Sequence, residues 1–347
     1  MYVLVTGGAG YIGSHTAKAL ARAGFEPIVY DNLSMGHRWA VRWGPFCEGD
    51  LLDIERLRSV IQQFRPVAAI HFAASAYVGE SIQIPGKYFR NNVVTTINLL
   101  DALCAAGVNN IVLSSTCAVY GCPDTVPIRE DSTKLPVNPY GESKLFVERM
   151  LPWYSRAHGL RWAALRYFNA SGADLDGEIG ESHRPETHLI PLVIESALGK
   201  RGVVEVFGTD YGTNDGTAVR DYIHVDDLAD AHVRAFRHLL SAGDNVALNL
   251  GTGRGYSVRQ IIKAVEEKSG RRVPVQYSPR RPGDPPELIA DAACAEAILG
   301  WRARHSSLST IIESALNWHA NQISRSNGDA KLAARVEALE VPVVAGS

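Results

Sequence analysis

Apolar and polar positions alternate in blocks along the first half of this chain. Short continuous apolar runs of strand length are followed by stretches with apolar residues at helical spacing, the pattern of a parallel sheet with crossover helices. Residues 2–6 predict a buried strand and residues 7–13 a glycine-rich turn. Ile12, Ala17, Ala19 and Leu20 then continue at helical spacing to Gly24, a natural helix stop. Further strands read at 27–31, 45–48, 68–72, 111–115 and 162–167, with helices near 54–64, 91–106 and 140–158 between them. The first half therefore predicts a doubly wound α/β sheet.

Past Asn169 the composition turns to Gly, Asp, Pro and His, and residues 171–187 lack periodicity, so a domain boundary is placed there. Strand patterns at 203–207 and 247–250 and helical ones at 189–198, 226–240, 258–269 and 308–320 predict a smaller mixed α/β domain interleaved with the first. Residues 1–168, completed by segments near 221–250, form the first expected domain, and residues 169–330 the second. Residues 331–347 read as a polar tail that adds a short helix or frays.

Composition narrows the class. At 347 residues the chain suits about two domains. Its 46% hydrophobic and 21% charged residues are the mix of a folded globular protein. The 35 Lys and Arg against 37 Asp and Glu leave a charge of -2 without a polybasic stripe, which excludes nucleic acid as an expected partner. No apolar run reaches membrane-spanning length and no signal-like start is seen, so no membrane partner and a cytoplasmic location are expected. Cys47, Cys104, Cys117, Cys122 and Cys294 are odd in number and contain no C-x-x-C pair, which fits ordinary thiols in a reducing compartment. His183 and His188 flank Glu186, but Pro185 interrupts any helix and the spacing is not that of the inverted zinc motif, so no metal is expected.

Thr6-Gly7-Gly8-Ala9-Gly10-Tyr11-Ile12-Gly13 lies between the first strand and first helix. Glycines at Gly7, Gly10 and Gly13 permit a tight turn and bring backbone N–H groups to a pyrophosphate at the helix N-terminus. This makes the fold a Rossmann-type one that binds a dinucleotide. Asp31 ends the second strand, where a carboxylate accepts hydrogen bonds from a ribose 2′-hydroxyl and repels a 2′-phosphate, so the expected cofactor is NAD rather than NADP. Asp50 ends the third strand, either beside an adenine or as a helix cap before Ile54. Asn91 and Asn92 open a predicted helix as cofactor neighbours or as caps.

Tyr140 and Lys144 stand four apart on a predicted helix, which places phenol and ammonium on one face. A free phenol has a pKa of about 10, so a tyrosine base needs a neighbouring cation and the positive field of NAD⁺. Ser114-Ser115-Thr116-Cys117 follows a strand at the C-terminal sheet edge, and Thr116 is the hydroxyl expected to hydrogen-bond a reacting alcohol or carbonyl. Arg220 and Arg281, expected in Gly/Pro-rich loops, are either the cations for a nucleotide diphosphate or surface partners of Asp221 or Asp284.

The motifs T-G-G-A-G-Y-I-G-S-H-T, Y-D-N-L-S, E-G-D, H-F-A-A, V-G-E-S, N-N-V, S-S-T-C-A-V-Y-G, N-P-Y-G-E-S-K, L-R-Y-F-N, D-G-T-A-V-R-D-Y-I-H-V-D-D-L-A and R-R-P-G-D stand in one order from Met1 to about His319. In this the chain resembles the extended short-chain dehydrogenase/reductase superfamily and, within it, the UDP-glucose (UDP-galactose) 4-epimerase family. The resemblance implies NAD-dependent 4-epimerisation of a UDP-hexose through a transient 4-keto sugar and NADH, with Tyr140, Thr116 and Lys144 catalytic. It places Tyr11, Ile12, Asn32, Leu51, Phe72, Ala73, Ala74, Asn91, Ser114 and Tyr167 with the cofactor, and Phe168, Asn169, His188, Leu189, Arg220, Arg281 and Asp284 with the UDP-sugar. It also implies that Lys144 orients the nicotinamide ribose and keeps Tyr140 acidic.

The chain departs from the best-known pattern at three places. Ala76 stands where many members have lysine, His188 where asparagine is frequent, and Leu288 where some have tyrosine or cysteine against the sugar 2-substituent. Pentose and N-acetylhexosamine 4-epimerases are therefore the nearest alternatives. Dehydration is disfavoured because Cys117 and Ala118 replace the Asp-Glu pair of that branch, decarboxylation because no carboxylate site is found, and a non-catalytic NAD-binding protein because Thr116, Tyr140 and Lys144 are intact. Apolar residues on more than one face of helices 91–106 and 140–158, among them Phe146 and Trp153, predict a homodimer through a four-helix bundle, which the resemblance also implies.

Overall fold

The computed structural model describes the backbone of residues 1–281 and 283–337 and the side chains as far as residue 322. The chain runs β1 (Tyr2–Thr6), α1 (Tyr11–Arg22), β2 (Glu26–Asp31), β3 (Phe46–Glu48), α2 (Ile54–Phe64), β4 (Ala68–His71), α3 (Val78–Gln83), α4 (Pro85–Tyr88), α5 (Thr95–Ala105), β5 (Asn110–Thr116), α6 (Pro139–His158) and β6 (Arg161–Tyr167). It continues through β7 (Asn169–Ser171), α7 (Leu189–Ala197), β8 (Val204–Phe207), β9 (Val219–His224), α8 (Val225–Leu240), β10 (Val246–Leu250) and β11 (Gly255–Ser257). It ends with α9 (Val258–Ser269), β12 (Val275–Ser278), β13 (Glu287–Leu288), α10 (Ala293–Leu299) and α11 (Leu308–Glu337).

Seven strands form one parallel sheet in the order β10-β6-β5-β4-β1-β2-β3, so the chain reverses its direction of travel between β1 and β4. Both faces are covered, which is why its strands read as continuous apolar runs rather than alternating ones. Val3, Val5, Ile70, Val112 and Leu165 face α1 and α8, while Leu4, Ala69, Ile111, Leu113 and Ala164 face α2, α5 and α6. The period of two thus divides each strand between two cores. A second, smaller sheet is centred on β9, paired with β7, β11 and β13, and β8 with β12 makes a separate parallel pair.

Several expectations need correction. The segment near 221–250 divides: β10 joins the large sheet beside β6, whereas β9 belongs to the small one. The helix expected to open at Asn91 begins earlier, with Pro85 as its first residue, and passes through a wide π turn over Phe89–Val94 before α5. Asn92 therefore caps nothing. Its amide accepts from Ser75 N–H at 2.8 Å and donates to the Ser75 carbonyl at 3.0 Å and to Ser143 Oγ at 2.9 Å, bracing the loop after β4 against α6. The final helix continues past the expected position 320 to Glu337, and residues 338–347 of the expected tail lie outside the described residues.

Candidate functional site

The carboxyl ends of β1, β2, β4, β5 and β6 converge where the strand order reverses, the position at which open α/β sheets bind ligands. The turn after β1 is built for close backbone approach. Gly7 has φ +72°, and a Cβ there would stand 2.5 Å from Ala73 N; one on Gly13 would stand 2.2 Å from Gly7 O. Gly10 begins α1 without a side-chain cap, which leaves the first-turn N–H groups for an anion. These features fit a dinucleotide pyrophosphate.

Asp31 is buried at the end of β2, accepting from Ala9 N–H at 3.0 Å and from Leu33 N–H at 2.8 Å. Burial pushes its carboxyl up, and the two backbone donors oppose that rise. Asn32 donates to Asp50 Oδ2 at 2.8 Å, joining the ends of β2 and β3 beside buried Leu51. The reading of Asp50 as a cap is overturned: the cap of α2 is Asp53, which accepts from Arg56 N–H, while Asp50 bonds Leu52 N–H. Phe72 and Ala73 both donate their N–H to Thr6 O, which holds the end of β4 and the loop through Ala74 against the glycine turn. Asn91 lies in the π turn, and its side chain donates to Asn92 Oδ1 at 3.3 Å.

The residues expected to be catalytic assemble on two elements. Asn138 caps α6 by accepting from Gly141 N–H at 2.8 Å, with Pro139 at the first helical position. A Cβ on Gly141 would stand 2.6 Å from Ala118 O, so this glycine lets the start of α6 lie against the turn after β5. Tyr140 consequently comes to face Thr116, whose hydroxyl favours the ionised phenol. Thr116 Oγ1 also accepts from Ala118 N–H at 3.1 Å. Lys144, one turn on, is buried and donates to Ser114 O at 2.8 Å, while the Ser114 and Tyr167 hydroxyls bond each other.

Burial pushes Tyr140 up to about 12, with the Thr116 hydroxyl opposing, and pushes Lys144 down to about 8, with Glu148 opposing. The chain by itself therefore does not make the phenol acidic. Lys144 sits in a pocket that disfavours its own charge, which leaves the expected second contribution, the positive field of a bound NAD⁺, the larger part of the task. His71, pushed down to about 3 by burial and by Lys144, is neutral there and bonds Thr6 Oγ1 at 2.7 Å and Thr96 Oγ1 at 2.9 Å.

In the second half, Asn169 opens β7 opposite Tyr222, and Phe168 packs with Cys117, Leu145 and Leu288. Arg220 is in strand β9 and not in a loop, and it pairs with Asp284 rather than Asp221. Asp221 is buried and instead accepts from Thr252 N–H at 3.0 Å and Gly253 N–H at 3.1 Å. The Arg281 guanidinium lies 3.9 Å from the centre of the Phe207 ring. His188 precedes Leu189 at the start of α7, paired with Glu181 at 2.8 Å and Glu186 at 2.9 Å. Tyr11 donates to Gly172 O at 2.7 Å, which ties the glycine turn to this half.

Sequence reasoning missed the layer under Tyr140 and Lys144. Glu148 takes Arg166 Nη2 at 2.6 Å and Nε at 2.9 Å and also bonds Ser115 Oγ. Arg166 Nη1 donates to Tyr120 Oη at 2.9 Å, and Tyr120 donates to Asn249 Oδ1 at 2.7 Å. The available signal was spacing: Glu148 follows Tyr140 and Lys144 at a further four residues.

A model of the NAD dependent epimerase/dehydratase family matches residues 3–251. The UDP-glucose 4-epimerase of Rhizobium leguminosarum bv. trifolii is 55% identical over 318 residues, covering 92% of this chain and 97% of that protein. This chain is a member of the UDP-glucose 4-epimerase family. Among solved epimerases, the UDP-glucose 4-epimerase of Brucella ovis in complex with NAD superposes with a TM-score of 0.89 at 57% identity, covering 91% of this chain and 97% of that one. A family member from Stenotrophomonas maltophila, with bound NAD and formylated UDP-arabinopyranose, gives a TM-score of 0.90 at 41% identity over 94% and 99%. The seven-stranded sheet with helices on both faces is thus the family's fold, at identities that leave no doubt of common descent.

Proposed function

We propose that this protein interconverts UDP-galactose and UDP-glucose, an NAD-dependent isomerisation at the sugar C4. The observation that supports it most directly is the Tyr140–Thr116 hydroxyl pair with Lys144 one turn on, at the sheet edge that also carries the glycine turn. Gly7, Gly10, Gly13, Asp31, Lys144 and Tyr167 are the residues proposed to hold NAD, which supplies a reversible two-electron acceptor when bound. Tyr140 takes the proton of the 4-hydroxyl, Thr116 holds that hydroxyl by a hydrogen bond, and Tyr140 returns the proton after the sugar has turned. Because burial holds the phenol near 12, proton transfer at neutral pH needs the positive charges of Lys144 and the oxidised nicotinamide together. Asn169, Arg220, Arg281 and His188 are proposed to face the diphosphate, with Asp284 toward the uridine ribose and Leu288 beside the sugar. In this proposal residues 1–168, with α8 and β10, carry the cofactor and the remainder carries the UDP-sugar. Incubating the purified protein with UDP-galactose without added NAD is expected to yield UDP-glucose, resolved by proton NMR. No product, with or without NAD, would defeat the proposal.

The same proposal includes a homodimer. Ile82, Ile84, Phe89, Val94, Phe146 and Trp153 are exposed large apolar residues on the neighbouring segments α3 to α6, and Trp153 is 66% exposed. Two such faces, one from each copy, bury one another as a four-helix bundle. Sedimentation equilibrium is expected to give twice the chain mass, and Phe146→Glu with Trp153→Glu to give the single-chain mass; a wild-type monomer at all concentrations would overturn this. Among the described residues no helix is long and apolar enough to cross a membrane. A cytoplasmic location is proposed with it, supported by five unpaired cysteines.

A further inference from the structure

The segment Glu181 to His188 was expected to hold no metal because it could not form a helix. It does not form one; it turns back on itself and brings four ligating side chains into one cluster. His188 Nδ1 lies 2.8 Å from a Glu181 oxygen and 2.9 Å from a Glu186 oxygen, and His183 Nδ1 lies 3.1 and 3.6 Å from the same two carboxylates. One ligand atom from each residue lies within 4.8 Å of all the others. A tetrahedral ion with bonds of about 2.0 to 2.1 Å needs its ligand atoms about 3.3 Å apart, and the four imidazole–carboxylate distances lie on either side of that spacing.

Charge and scaffold agree with this geometry. Both carboxylates are 5% exposed, and among the described residues neither has a Lys or Arg partner. Among the described residues the two imidazoles are therefore the only ion-pair partners of these buried carboxylates, and a divalent cation held by all four side chains neutralises them. The neighbouring triad Asp174, Asp176 and Glu178 differs, because the Lys18 ammonium already sits among it at 2.7, 2.9 and 2.7 Å. The quartet is also held in place from outside. Trp318 Nε1 donates to Glu181 O at 2.9 Å, His37 Nε2 to Ser182 O at 2.7 Å, and Tyr77 Oη to Pro185 O at 3.0 Å. Glu186 Oε1 is oriented by the N–H groups of Thr187 and His188 at 2.7 and 2.8 Å. A site fixed this way needs little ordering on binding.

We propose that Glu181, His183, Glu186 and His188 form a closed tetrahedral site for one divalent transition-metal ion of the zinc type. Two imidazoles and two carboxylates are donors suited to zinc, and four protein ligands without an open position make the site structural rather than catalytic. Ligation through Nδ1 leaves Nε2 of His188 for the substrate contact proposed above. The ion staples the segment that reaches across to the glycine turn, where the His183 and Tyr11 rings meet edge to face at 6.2 Å.

The test is a Co²⁺ titration of the full chain, purified without a histidine tag and freed of metal, followed by visible absorption and circular dichroism. The expected result is intense tetrahedral Co²⁺ bands that saturate at one ion per chain and vanish on adding one equivalent of Zn²⁺. His183→Ala and Glu186→Gln are each expected to weaken Co²⁺ binding by more than about tenfold, the loss typical of an outer-shell partner alone, with an unchanged circular dichroism spectrum. Weak pink octahedral spectra without saturation, or wild-type affinity in both variants, overturn the site. The wild-type titration decides the matter even if a variant fails to fold.

Discussion

Tyr140→Phe is expected to lower turnover of UDP-galactose at least about 10²-fold, the scale of losing a general acid–base, while bound NAD is retained. The reason lies in what the substitution leaves intact. The glycine turn, Asp31 and the Lys144 bond to Ser114 O do not involve the phenol oxygen, whereas the group proposed to take the 4-hydroxyl proton is gone. The measurement is kcat by coupled assay beside the NAD released on acid denaturation. Turnover within about threefold of wild type would remove Tyr140 from the reaction.

Glu148→Gln is expected to cost about 3 to 5 kcal/mol of stability, because it leaves the Arg166 guanidinium buried without its counter-charge. Adding Arg166→Met should recover a large part of that loss, since removing both charges of a buried pair is far cheaper than removing one. Urea unfolding of the single and double variants reads both effects. Glu148 also opposes the burial that depresses Lys144, so without it the Lys144 ammonium is lost at a lower pH than about 8. The alkaline limb of the rate profile should then move down in pH in Glu148→Gln, which loss of packing alone would not produce. An unchanged midpoint in urea for Glu148→Gln would show that the pair contributes nothing to stability.

The local periods wrote much of this fold into the chain. Strand-length apolar runs arise because a parallel sheet covered on both faces buries every side chain, as Val3, Leu4 and Val5 do. The glycine turn was legible because Gly7 and Gly13 each stand where a side chain would collide with backbone. Tyr140 and Lys144 were legible because helical geometry alone puts residues four apart on one face. Local signals were weaker where several elements compete. Asp50 and Asp53 are both credible caps by composition, and only the observed hydrogen bond to Arg56 N–H separates them.

What the sequence determined by itself was whatever depends on residues close together in the chain: the order of elements, the glycine turn, the helix face shared by Tyr140 and Lys144. Tertiary structure decided what depends on residues far apart. Arg220 reaches across 64 residues to Asp284, Arg166 completes Glu148 on another element, and β10 joins the sheet that β9 leaves. It also decided the electrostatics, since the rise of Tyr140 and the fall of Lys144 come from burial, which no spacing reports. Even the Glu181 to His188 quartet, though local, depended on a backbone turn that a motif read for a helix cannot represent.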